Sequence, residues 1–210
     1  MAGKILNSSV EKYIEKLLPK SDGVLAEMER YAKKHDVPII GPACGRLLYL
    51  VAQLSGAKRI FEMGSAIGYS TIWLARAAGT GAEIYYTDGN PENARRAKEN
   101  FERAGVADRI QVLVGDALGH FDSTSGEFDL IFIDIDKHQY PEALQKASPR
   151  LKSGGLLITD NVLWSGRVTA KATDVRTRAI QQFNRMVYAS SELFPVIVPL
   201  RDGVAVCRKI

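Results

Sequence analysis

The sequence predicts an α/β domain in which a parallel sheet is covered by helices on both faces. Three observations lead there. From residue 58 onward, short apolar runs alternate with segments of helical spacing, the pattern of parallel strands joined by crossover helices. Several of those runs end in an acid or an amide: Asp88, Asp116, Asp134 and the pair Asp160-Asn161. The chain then closes on two apolar runs around Arg201-Asp202-Gly203, which reads as a β-hairpin, so one of its strands must run antiparallel. A length of 210 residues fits one domain, with residues 1–55 as an N-terminal helical part and 56–210 as the core.

The elements follow in order. Residues 9–18 carry Val10, Tyr13, Ile14, Leu17 and Leu18 at helical spacing, and Pro19 stops that helix. Asp22 is placed to cap a second helix running to about Lys34. A third covers residues 43–54, after Gly41-Pro42. Strands are expected at 59–63, 83–87, 110–114, 128–134 and 156–159. Helices are expected from Ser70, Pro91 and Tyr140, Pro91 suiting a first helical turn. A last helix spans about 175–189, ahead of hairpin strands 194–200 and 204–208.

Composition narrows the class. A hydrophobic fraction of 46% with 25% charged residues is that of an ordinary globular protein. No apolar run approaches the roughly 18 residues of a membrane span, and no signal peptide is read at the N-terminus. Cys44 and Cys207 match no metal or redox spacing and read as buried thiols in a reducing compartment, so the cytoplasm is expected. The net charge of +4 and a pI of about 9.0 come from basic residues spread along the chain, which fits a solvated surface. They leave an anionic or RNA substrate open.

The chemistry concentrates in two stretches, Phe132-Ile133-Asp134-Ile135-Asp136-Lys137 and Thr159-Asp160-Asn161. If the two runs are adjacent parallel strands, their C-terminal ends bring Asp134, Asp160 and Asn161 to one point. Carboxylate and amide oxygens without histidine or thiolate suit Mg²⁺, with Mn²⁺ or Ca²⁺ in its place, better than zinc. Lys137 beside them reads as a base acting on what the metal holds. Taken singly, each acid is an ordinary turn cap; it is their convergence that favours a metal.

A second set lies after the first three strands. Glu62-Met63-Gly64-Ser65-Ala66-Ile67-Gly68-Tyr69-Ser70 turns from strand to helix. Gly64 allows the tight turn, Gly68 a close backbone approach, and the helix-start N–H groups with the Ser70 hydroxyl can hold a carboxylate. The spacing is neither that of a dinucleotide loop nor that of a phosphate loop. Asp88 ends the second strand, where an acid can accept from both ribose hydroxyls. Asp116 follows the third, where an adenine amino group can be read. A carboxylate cradle, a ribose acid and an adenine contact together describe S-adenosylmethionine.

On these residues the chain resembles the cation-dependent O-methyltransferases of the catechol and caffeoyl-coenzyme A type. The resemblance runs from about Gly41 to Ile210, through the stretches around Gly64, Asp134 and Asp160-Asn161-Val162-Leu163-Trp164-Ser165-Gly166, and the closing Pro199-Leu200-Arg201-Asp202-Gly203. It implies a Rossmann-like seven-stranded sheet of order 3-2-1-4-5-7-6 with strand 7 antiparallel and extra N-terminal helices. It implies Asp134, Asp160 and Asn161 as metal ligands and Lys137 as catalytic base. Glu62, Gly64, Gly68, Ser70, Asp88, Asp116 and Asp134 fall at the cofactor, and Trp164 is set to wall the acceptor pocket or to pack under its loop. Ala66-Ile67 and Gly89-Asn90 depart from the family's pattern. The function so implied is methyl transfer from S-adenosylmethionine to a hydroxyl of a small catechol-like acceptor, by a homodimer. Transfer RNA as acceptor and a catalytically silent regulatory protein are the competing readings.

Overall fold

The computed structural model describes residues 7–210. Its seven strands lie in the order β3-β2-β1-β4-β5-β7-β6, with helices on both faces, as expected. The described chain groups into two compact units. One is residues 17–125; the other joins 126–210 with the described residues through Lys16.

In the first unit, β1 (Arg59–Met63), β2 (Glu83–Asp88) and β3 (Ile110–Val114) pair in parallel. Asp22 caps α2 (Gly23–His35) by accepting from the Leu25 N–H at 3.2 Å, a contact of the kind worth about 1 kcal/mol. Next come α3 (Gly41–Ser55), α4 (Tyr69–Ala78) and α5 (Pro91–Arg103), the last capped by Asn90 with Pro91 at its first turn. A short helix, α6 (Ala117–Ser123), follows β3 where none was expected. Its seven residues include a glycine and too few apolar positions to register as a period, and Asp116 starts it by accepting from the Gly119 N–H at 2.7 Å.

In the second unit, β4 (Phe128–Ile133) and β5 (Leu151–Thr159) are parallel, and β7 (Val204–Lys209) runs antiparallel between β5 and β6 (Leu193–Val198). β5 begins five residues before the expected start at 156. Its register against β4 slips between Phe128 and Leu130, so Ser153-Gly154-Gly155 forms an irregularity within the strand. α7 (Tyr140–Ala147) and α8 (Val175–Ala189) pack in this unit through the T-shaped pair Tyr140–Phe183. On α1 (Ser8–Leu17), the apolar Val10, Tyr13 and Leu17 are exposed.

Cys44 and Cys207 are both buried, and burial pushes the Cys207 thiol up to about 12, which makes it inert. Among the described residues no helix is long and apolar enough to cross a membrane.

Candidate active site

The loop after β1 is fixed from β2 and α5. The Gly64 N–H donates to Thr87 Oγ1 at 3.1 Å, the Ser65 N–H to the Thr87 carbonyl at 3.0 Å, and the Ala66 N–H to Asp88 Oδ2 at 2.9 Å. From the other side, the Tyr86 hydroxyl donates to the Ala66 carbonyl, and Asn100 Nδ2 to the Ile67 carbonyl at 3.1 Å. Ala66 is thereby held at φ +44°, a conformation most side chains avoid. Asp88 also accepts at Oδ1 from the Asn90 N–H at 2.8 Å and from Asn93 Nδ2 at 3.1 Å. Three donors aim this carboxylate, and a carboxylate offers roughly four acceptor positions, so capacity for a ligand hydroxyl remains.

Ser70 and Gly68 are both engaged within the fold. Ser70 does not offer its proton to a ligand: its hydroxyl donates to the buried Glu62 carboxylate, as does Thr71 Oγ1 at 2.5 Å. Glu62 is therefore a buried acid tying the start of α4 to β1. Gly68 is needed for packing. At φ +84° its added Cβ would lie 2.4 Å from the Phe101 ring, and its own N–H is bonded to the Ser65 carbonyl at 2.8 Å. The hydroxyl that is buried here without a partner is Ser65 Oγ, which residue spacing gave no reason to single out. Asp116 is exposed and occupied as the α6 cap.

In the second unit, Asp134, Lys137 and Asp160 come together at the C-terminal ends of β4 and β5. The Asp160 N–H donates to the Ile133 carbonyl at 3.1 Å, which sets the two strand ends level. Lys137 Nζ donates to Asp134 Oδ1 at 2.8 Å and to the Ile135 carbonyl at 3.2 Å. Asp160 is only 2% exposed, and burial, then the nearby Asp134 carboxylate, push its carboxyl well above the ordinary range. Arg201 Nη1 lies 3.8 Å from Asp160 Oδ2. Asn161 follows at φ +59° and donates its backbone N–H to Asp160 Oδ1 at 2.9 Å.

Tyr140, which reads in the sequence as the start of a helix, organises this cluster. It is fully buried, its hydroxyl donates to the Asp160 carbonyl at 2.9 Å, and its ring lies 4.9 Å beneath Lys137 Nζ. Burial, with the charges of Asp134, Asp160 and Asp202, keeps the phenol well above its usual range and so a neutral donor. Asp136 and His138 are exposed, outside the cluster. The loop after Asn161 is clamped by the β6–β7 turn. The Val162 N–H donates to the Gly203 carbonyl at 3.0 Å, the Leu163 N–H to the Asp202 carbonyl at 2.9 Å, and the Ser165 N–H to Asp202 Oδ1. Asn184 of α8 holds the Val162 carbonyl at 2.8 Å. Trp164 stands at φ +47° with its Nε1 buried and without a partner.

Among the described residues, no three or more His, Cys, Asp or Glu side chains gather into a metal-binding group. The donor set in question is two carboxylates and an amide. A buried carboxylate whose ionisation is opposed by a second one gains from a hard cation, and these oxygen donors fit Mg²⁺ or a similar ion. Chemically, one unit offers a fixed carboxylate beside a backbone cradle, and the other a lysine amine beside paired carboxylates.

Comparison with known proteins gives this arrangement a family. A model of that family, described as O-methyltransferase, matches residues 18–210. A catechol O-methyltransferase of Niastella koreensis is 34% identical over 94% of this chain and 95% of its own. Among solved structures, an O-methyltransferase of Bacillus cereus in complex with SAH superposes with a TM-score of 0.87 at 29% identity, covering 96% of this chain and 97% of its own. One of Streptomyces achromogenes, involved in tomaymycin synthesis and in complex with SAM, gives 0.87 at 29%, covering 96% of each.

Proposed function

The chain belongs to the O-methyltransferase family, and from that premise we propose that it acts as one domain. It transfers a methyl group from S-adenosylmethionine to one hydroxyl of a small vicinal diphenol, with the help of a divalent cation. The observation that carries the reading is the meeting of Asp134, Lys137 and Asp160 at the ends of β4 and β5. The catechol substrate in the relative's name and the ligands of the Bacillus and Streptomyces structures support it.

Asp134, Asp160 and Asn161 would hold the cation. When bound, the cation supplies Lewis acidity to the acceptor hydroxyls and the cofactor supplies an electrophilic methyl group on a sulfonium. Lys137, after giving up one ammonium proton to solvent, would accept at Nζ the proton of the attacking hydroxyl, from the position that Asp134 and the Ile135 carbonyl set for it. Tyr140 keeps the lysine and the Asp160 backbone in register. The pinned loop 64–68, with the Ser65 hydroxyl, takes the methionine end; Asp88 takes the ribose, with Asp116 towards the base. The oxygen–carbon bond forms as the carbon–sulfur bond breaks. Opposite charges cancel along that path, so fixed positioning contributes much of the acceleration.

Asp88→Ala is expected to weaken S-adenosylmethionine binding about ten- to hundredfold, the loss expected for hydrogen bonds to a charged group, with a smaller effect on kcat. Calorimetric titration checks this, and unchanged affinity would remove the ribose role. The exposed apolar side chains of α1 favour a homodimer, which light scattering tests by mass. The acceptor class is tested with purified protein, labelled cofactor and Mg²⁺, comparing vicinal diphenols with bulk transfer RNA at low and moderate salt. The expected result is transfer to a diphenol with little dependence on salt. Transfer to RNA alone, lost steeply as salt rises, would overturn it.

A further inference from the structure

A cleft of about 240 Å³ lies between α2 and α5, against the loop after β1. Its floor is apolar and fixed. Met28 and Ile67 are buried there, and Asn100 Nδ2 holds the Ile67 carbonyl at 3.1 Å. Asn100 itself is only 6% exposed and lines the same floor. The bond to Ile67 uses one of its two amide protons, and among the described residues its Oδ1 accepts no hydrogen bond. A nearly buried amide with unused capacity in a cleft suits a polar group on a ligand.

The wall is cationic. The Arg96 guanidinium lies over the Tyr31 ring, 4.0 Å from its centroid, and His35 stacks with the same ring at 4.2 Å. This contact fixes the guanidinium while leaving its N–H groups for an acceptor. Among the described residues they reach none. Glu92 acts on Arg96 through its charge alone, since its own oxygens are bonded to Arg95 at 2.5 and 3.0 Å. At the rim, the exposed Arg103 pairs with Glu27. Two arginines against one glutamate leave the lining one positive charge in excess, and a planar guanidinium is the complement of a carboxylate. An apolar cavity of about 150 Å³ holds benzene, so the volume here accepts one substituted ring and little more.

We propose that this cleft is a binding site for a small phenolic carboxylate of the hydroxybenzoate class. The ring packs on Met28 and Ile67, the carboxylate meets Arg96, and the hydroxyl donates to Asn100 Oδ1. The occupant rests on α5, which also holds the cofactor end of the chain through Asn93 and Asp88, so the site is distinguished from the cofactor's by competition. The test is calorimetric titration in chelator with 4-hydroxybenzoate and with the neutral 4-hydroxybenzyl alcohol, with and without saturating S-adenosylmethionine. It uses the natural protein, Arg96→Gln and Arg96→Lys. Arg96 is half-exposed on a helix and both replacements are good helix formers, so the variants are expected to fold. The natural protein is expected to bind one benzoate, more tightly than the alcohol, and to keep it when the cofactor is bound. Arg96→Gln is expected to weaken the benzoate about ten- to hundredfold, with lysine retaining part of the affinity. The backbone amide signal of Ile67 is expected to move on titration of the natural protein, a readout that needs no variant. Unchanged affinity in Arg96→Gln, equal binding of the alcohol, no binding at millimolar ligand, an unmoved Ile67 signal or displacement by S-adenosylmethionine would each overturn the proposal. None of these results bears on methyl transfer.

Discussion

Asp160→Ala is expected to abolish measurable cation binding and to lower methyl transfer by at least about 10²-fold, beyond the 10–100-fold typical of residues that only support metal ligands. The same substitution is expected not to lower the stability of the metal-free protein. Asp160 is buried, and burial together with Asp134 pushes its carboxyl above the range it has in the unfolded chain. A group with that sign binds more protons folded than unfolded, so its contribution to stability falls as pH rises through the interval between the two values. Alanine removes that cost at neutral pH. Thermal melts without metal and calorimetric titration with Mg²⁺ or Mn²⁺ check the two halves separately. A variant that melts much earlier and still binds the cation would mean that Asp160 is a structural acid.

Lys137→Ala is expected to lower kcat about 10²–10⁴-fold, the usual range for a general base, with a much smaller change in cofactor affinity. The amine is in contact with Asp134 and stacked over the Tyr140 ring, so its position is set by groups of the same cluster. Single-turnover measurements with saturating cofactor separate this loss from product release. A variant with near-normal kcat across the pH range would assign proton removal to solvent.

The sites were legible in the sequence to the extent that they lie at strand ends. A run such as Phe132-Ile133 fixes a buried strand, and the acid that ends it must emerge at the sheet edge, so Asp88, Asp134 and Asp160 could be placed by pattern alone. What pattern could not give was where side chains spend their hydrogen bonds. Ser70 has the right residue type and position, yet its proton goes to Glu62, while Ser65 five residues earlier is the buried hydroxyl without a partner. Gly68 is a glycine because Phe101 fills the space above it, a contact across 33 residues that no local spacing encodes. Tyr140 and Thr87 were hidden for the same reason, since an aromatic at a helix start or a threonine in a strand is ordinary until its hydroxyl has a partner. Arg201 lies in the closing stretch that resembles the family, but its left-handed backbone and its approach to Asp160 belong to the folded chain and not to any local spacing.

The central claim is that this chain's O-methyltransferase activity depends on a cation held by Asp134, Asp160 and Asn161. It is tested most directly by methyl transfer from S-adenosylmethionine to a vicinal diphenol, first in excess chelator and then after addition of Mg²⁺ or Mn²⁺. Turnover is expected to vanish in chelator and return with the metal, while calorimetry shows cofactor binding in both conditions. Full turnover in chelator would contradict the account.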